Sequence, residues 1–95
     1  MSEPIVIHVS SDRTGVTFSL ALTERRALER RLGIRPSPRI FVAHETRSAF
    51  DEIHGSMLRQ IVLILTGISE ERLKELGTVE FREPVTERLL TNFSF

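Results

Sequence analysis

"PIVIHVSSDRTGVTFSL", residues 4–20, decides how this chain begins to fold. Pro4 followed by the β-branched run Ile5–Val9 predicts a strand over 4–9. "SSDRTG" (10–15) is polar turn chemistry ending on glycine. "VTFSLAL" (16–22) sets Val16, Phe18, Leu20 and Leu22 against Thr17, Ser19 and Ala21, the period-two alternation of a second strand. The two runs form a hairpin, and Gly15 is expected to close it with a positive φ.

Beyond the hairpin, Thr23 is the expected N-cap of a short helix over 24–32, which Gly33 ends. Two prolines make "IRPSP" (34–38) a rigid connector. "RIFVAHE" (39–45) is a third strand. Ser48 and Asp51 supply a capping pattern for a long helix. Its apolar stripe runs through Phe50, Ile53, Met57, Ile61, Ile64 and Ile68, and Val62, Leu63 and Leu65 widen it. The C-terminal half is apolar nearly all round. Its expected cover is neighbouring elements or a second subunit, with Ile61, Val62, Leu63 and Leu65 as the self-association residues. Gly55, inside this helix, suggests a close backbone crossing. Gly67 ends it, and Ser69 caps a further helix stopped by Gly77. Ile68 and Leu73 are spaced as a hydrophobic staple around that cap. "TVEFRE" (78–83) alternates as a strand. "PVTERLLTNF" (84–93) has Pro84 at a helix start and Val85, Leu89 and Phe93 on one face, predicting a terminal helix. The resulting order is β-β-α-β-α-α-β-α. The fold class is α+β: a small antiparallel sheet, the hairpin plus one or two further strands, packed with one long and two or three short helices.

At 95 residues the chain is expected to be one globular domain, 1–95. Apolar residues make up 40% and charged residues 27%, ordinary globular composition. No cysteine is present, which excludes disulfides, thiolate metal sites and cysteine nucleophiles. The N-terminus lacks the pattern of a signal peptide, and the longest apolar run, Ile61–Leu65, is too short to span a membrane. A soluble, cytoplasmic protein without membrane attachment is expected.

The charge is unevenly placed. Thirteen basic and thirteen acidic residues balance, yet residues 1–47 hold eight basic and five acidic residues, and residues 48–95 the reverse. "ERRALERRLGIRPSPR" (24–39) gathers Arg25, Arg26, Arg30, Arg31, Arg35 and Arg39 against Glu24 and Glu29. With Leu28 facing the core, Arg26 and Arg30 project from the outer pole, while Arg25 and Glu29 are spaced for an i, i+4 pair. Three explanations compete: neutralisation by the acidic helices of the same chain, docking of an acidic protein or second copy, and phosphate contact with nucleic acid.

"VSS…GVT" (Val9–Thr17), "LGIRP" (Leu32–Pro36) and "RIFV" (Arg39–Val42) together resemble the swapped-hairpin DNA-binding domain of transition-state regulators and some antitoxins. The resemblance implies a dimer of intertwined β-α-β halves whose arginines touch DNA.

Chemistry-bearing residues are sparse. Asp51 and His54 share a helix face, a two-ligand start that zinc would need Glu45 or His44 to extend, and then only if the strand end lies close; no His-Glu-X-X-His spacing is present. "SSDRTG" lacks the phosphate-loop arrangement. Glu70 and Glu71 point about 100° apart and serve the helix dipole. No catalytic residue, metal, cofactor or small-molecule substrate is inferred. The expectation is a non-enzymatic, self-associating protein-interaction or regulatory module whose arginine face docks an acidic partner. The alternative is a nucleic-acid-binding regulator using the same face.

Overall fold

The computed structural model describes residues 4–33, 39–43, 53 and 55–95. Along the chain lie β1 (Ile5–Ser11), β2 (Gly15–Leu20), α1 (Leu22–Leu32), β3 (Arg39–Ala43), α2 (Gly55–Thr66), α3 (Glu70–Leu76), β4 (Thr78–Arg82) and β5 (Leu89–Ser94). The fold is α+β. The strands form one sheet in the order β3-β2-β1-β4-β5. β1 and β4 are parallel and every other pair is antiparallel, so the sheet is mixed rather than antiparallel. The parallel pair follows from the path between them, since α2 and α3 return the chain to the free side of β1.

The hairpin forms as its alternation predicts. Ile7 lies opposite Leu20 and Val9 opposite Phe18, all on one buried face. The turn is closed differently from expectation. Asp12 Oδ1 accepts hydrogen bonds from Thr14 N at 2.7 Å, Thr14 Oγ1 at 2.6 Å and Gly15 N at 3.1 Å. A carboxylate bonding to the backbone ahead of it shapes the turn, and Gly15 is not among the positive-φ glycines. Gly15 is needed because β3 crosses it closely. A Cβ there would fall on the carbonyl oxygen of Val42 and lie 2.6 Å from the Phe41 ring.

β2 passes almost directly into α1. Ala21, in extended conformation, is the N-cap without a side-chain bond, and Thr23 lies inside the helix. Leu22 therefore belongs to the helix, not the strand. Glu24 Oε1 accepts from Val6 N at 3.4 Å, tying the first turn to β1. Gly33, at φ 66°, donates its N–H to Glu29 O and ends the helix as expected.

Ser48, Phe50, Asp51 and His54 lie outside the described residues, as do residues 34–38, His44 and Glu45. Ile53 sits in a bend, and Gly55 opens α2 with open space where a Cβ would stand, so it marks no backbone crossing. The buried face of α2 is Leu58, Ile61, Val62, Leu65 and Thr66. Met57 and Ile64, expected in the core stripe, are 47% and 64% exposed. Three residues expected at a subunit interface, Ile61, Val62 and Leu65, are buried within their own chain, and Leu63 packs partly against the same core. Ser69 caps α3 by accepting from Arg72 N at 3.2 Å, with Ile68 and Leu73 both buried beside it.

The C-terminal segment is a strand, not a helix. Residues 84–86 form a turn and β5 pairs with β4, Val79 opposite Phe93 and Phe81 opposite Thr91. Pro84 suits a turn as well as a helix start. Phe93 stacks on Phe81 with ring centroids 5.7 Å apart, a contact that the four-residue spacing of Val85, Leu89 and Phe93 gave no sign of.

One core holds the two layers together. Ile5, Ile7, Val9, Val16, Phe18, Leu20, Val79 and Phe81 cover one face of the sheet, and Leu28, Leu58, Ile61, Val62, Leu65 and Leu73 meet them from the helices, with Ile68 from the α2–α3 connection. Phe18 and Phe81 meet edge to face at 6.0 Å. The opposite face of the sheet carries Val6, His8, Thr17, Ser19, Arg39, Phe41, Glu80, Arg82 and Asn92.

Candidate functional site

α1 is pinned to the core by Leu28, which is 1% exposed. That anchor fixes which way its arginines face. Arg26, Arg30 and Arg31 are exposed and Arg25 is half-buried. Arg30 and Arg31 also lie in the last helical turn, where the dipole favours cations. Among the described residues, ion pairs join His8 to Glu87, Arg82 to Glu80 and Arg88 to Glu83. None reaches the arginines of α1, and Arg25 and Glu29 do not pair. The glutamates of α3, Glu70, Glu71 and Glu75, are exposed and do not neutralise α1.

The six arginines do not form one patch. Arg39 pairs in register with Ser19 and so belongs to the helix-free face of the sheet, whereas α1 covers the other face. Arg35 lies outside the described residues. The structure therefore brings together Arg25, Arg26, Arg30 and Arg31 on one helix and leaves Arg39 on the far side of the sheet.

That helix-free face carries a polar network that sequence reading did not assemble. His8 Nε2 stands 3.0 Å from Glu87 Oε1. Arg82 grips Glu80 Oε1 through Nε at 2.8 Å and Nη2 at 2.7 Å, and its Nη1 donates to the Glu87 carbonyl at 2.7 Å. Strand alternation already set His8, Glu80 and Arg82 on one side. Glu87 carries no sequence signal of this role, because its segment reads as a helix whereas the chain turns there. In the same turn, hydrogen bonds from the Thr86 hydroxyl and the Arg88 side chain hold the Glu83 carboxyl below its ordinary range. Elsewhere Arg59 lies over the Phe93 and Phe95 rings, 5.0 and 5.3 Å from their centroids.

A shallow hollow of 140 Å³ is lined by Leu32, Gly67, Ile68, Ser69 and Arg72. It is small for a ligand site, which is ordinarily several hundred Å³. Among the described residues, no group of three histidines or carboxylates is placed to hold a metal ion, and no helix is long and apolar enough to cross a membrane. The swapped-hairpin resemblance implies halves completed by a partner chain. Here β1 and β2 are completed within one chain, by β4 on one side and β3 on the other.

No family model, no curated protein and no solved structure matches this chain.

Proposed function

We propose that the protein is a small, non-enzymatic interaction module, self-associating, that docks an acidic protein through Arg25, Arg26, Arg30 and Arg31 on α1. One observation carries this reading: four cations on a core-anchored helix with no carboxylate partner among the described residues. Guanidinium groups held on a rigid element suit paired recognition of carboxylates. The ridge has already lost most of its freedom to reorient as a body, which lowers the ordering cost of docking. Net charge is zero, so the attraction is local and acts over about one Debye length, 8–10 Å, at ordinary salt.

The double reversal Arg26→Glu with Arg30→Glu tests it. Wild-type chain on a support should retain an acidic protein whose association slows as salt rises, and the double variant should lose it. Duplex DNA should neither be shifted by the wild type nor compete. A duplex shift that weakens steeply with salt and vanishes in the double variant would replace this reading by phosphate recognition. Equal retention by both chains would make the ridge a solvated helix surface.

A further inference from the structure

β5 is the last strand of the sheet, and its outer edge meets no other strand among the described residues. An open edge presents a row of free N–H and C=O groups, and sheets ordinarily guard such rows with charge, proline or a bulge. β5 reads Leu-Leu-Thr-Asn-Phe-Ser, without a charged residue or proline. Its irregularity is confined to the start, between the partners of Phe81 and Arg82, and Thr91–Ser94 run in regular register with β4. The opposite edge, β3, by contrast opens on exposed Arg39.

We propose that the outer edge of β5 pairs antiparallel with β5 of a second copy, joining two sheets into one. This names the surface for the self-association in the reading above and rests on that part of it; the arginine ridge is not involved. β5 suits a copy of itself as the occupant because, having no charged residue, it meets its own copy without a like-charge pair. Antiparallel partners standing opposite must share a face of the sheet. Thr91 and Phe93 face the helix layer, opposite Phe81 and Val79, while Asn92 and Ser94 face the helix-free side. Pairing two copies about Asn92 sets each Thr91 against the partner's Phe93, helix side to helix side. The edge-to-edge contact is isologous and closes after two chains. No like charges meet within the strand. The half-buried Phe93, with Phe95 and Arg59 beside it, extends the core to this edge.

Asn92 is exposed, so charge there tests the pairing without disturbing the core. Sedimentation equilibrium of the full chain across the micromolar range should show a monomer–dimer equilibrium. Asn92→Lys and Asn92→Glu should each weaken it about three- to fivefold by setting like charges opposite. An equimolar mixture of the two variants should recover dimer at wild-type strength or better, because Lys then faces Glu. Because Glu80 stands opposite Asn92 within the chain, the thermal midpoint extrapolated to low concentration should rise slightly for Asn92→Lys and fall slightly for Asn92→Glu, so a weakening of the dimer common to both variants belongs to the edge. The double reversal on α1 should leave dimerisation unchanged. A single-chain mass for wild type at every concentration overturns both self-association and this edge, leaving the edge to a strand of another protein. A dimer indifferent to both Asn92 variants, or one not restored in the mixture, overturns the β5 edge alone.

Discussion

Gly15 shows how one residue can be required for a reason its neighbours hide. It sits where a hairpin turn meets a strand, a place where glycine usually supplies a positive φ. Here Asp12 shapes the turn with three hydrogen bonds, and Gly15 makes room for β3. Gly15→Val should destabilise the chain by about 1–3 kcal/mol, because the obstacle is the Val42 carbonyl, a backbone atom that cannot swing aside. For a chain of this size that lowers the thermal midpoint by about 4–8 °C per kcal/mol. A midpoint equal to wild type would mean that β3 does not approach β2 as described. Glu87 poses the reverse case: a non-glycine residue at φ 59°, held while its carboxylate meets His8 and its carbonyl accepts from Arg82.

The elements show where periodicity is sufficient and where it is ambiguous. α2 is apolar on so much of its surface that steps of three and four can be drawn along more than one stripe. The stripe through Met57, Ile61 and Ile64 fits the template, yet the buried face follows Leu58, Ile61, Val62 and Leu65. At 100° per residue, Ile64 lies about 100° from Leu65, enough to move it from core to solvent. Leu65→Ala should therefore cost about 2–5 kcal/mol, whereas Ile64→Glu should change stability by no more than about 0.5 kcal/mol. Urea unfolding of the two variants checks the phase of the helix, and the reverse ranking would refute it. β5 has the opposite difficulty. Leu89, Leu90 and Phe93 suit either a helix stripe or a strand with a register shift, and contact with β4 selects the strand.

For the whole molecule, sheet order sets the hierarchy of stability. β1 is flanked on both sides, by β2 and β4, and Ile7 at its centre is fully buried. β3 and β5 are the outer strands. Amide hydrogen exchange should be slowest for Ile7 and Val9 in β1 and Phe18 in β2, and faster by orders of magnitude along β3, because opening an outer strand exposes less core than opening the centre. Uniform protection across all five strands would contradict this order.

Local chemistry determined much of this architecture. The hairpin, the end of α1 at Gly33, the cap at Ser69 and the alternation of β4 all arise from contacts within a few residues. They were therefore legible as turn chemistry, capping and period-two patterning. The arginines were equally legible as a group in the chain, and Leu28 as the residue that turns Arg26 and Arg30 outward. Tertiary structure decided what distant partners control: β1 beside β4 in parallel, β5 as strand rather than helix, the buried phase of α2, and Gly15 as the place where β3 passes. It also divided the arginine group, sending Arg39 to the far face of the sheet. The physical reason is that a helix or strand template records only which residues share a side. Which side is covered depends on burial against elements tens of residues away, and that burial outweighs the small local preferences that distinguish the alternatives.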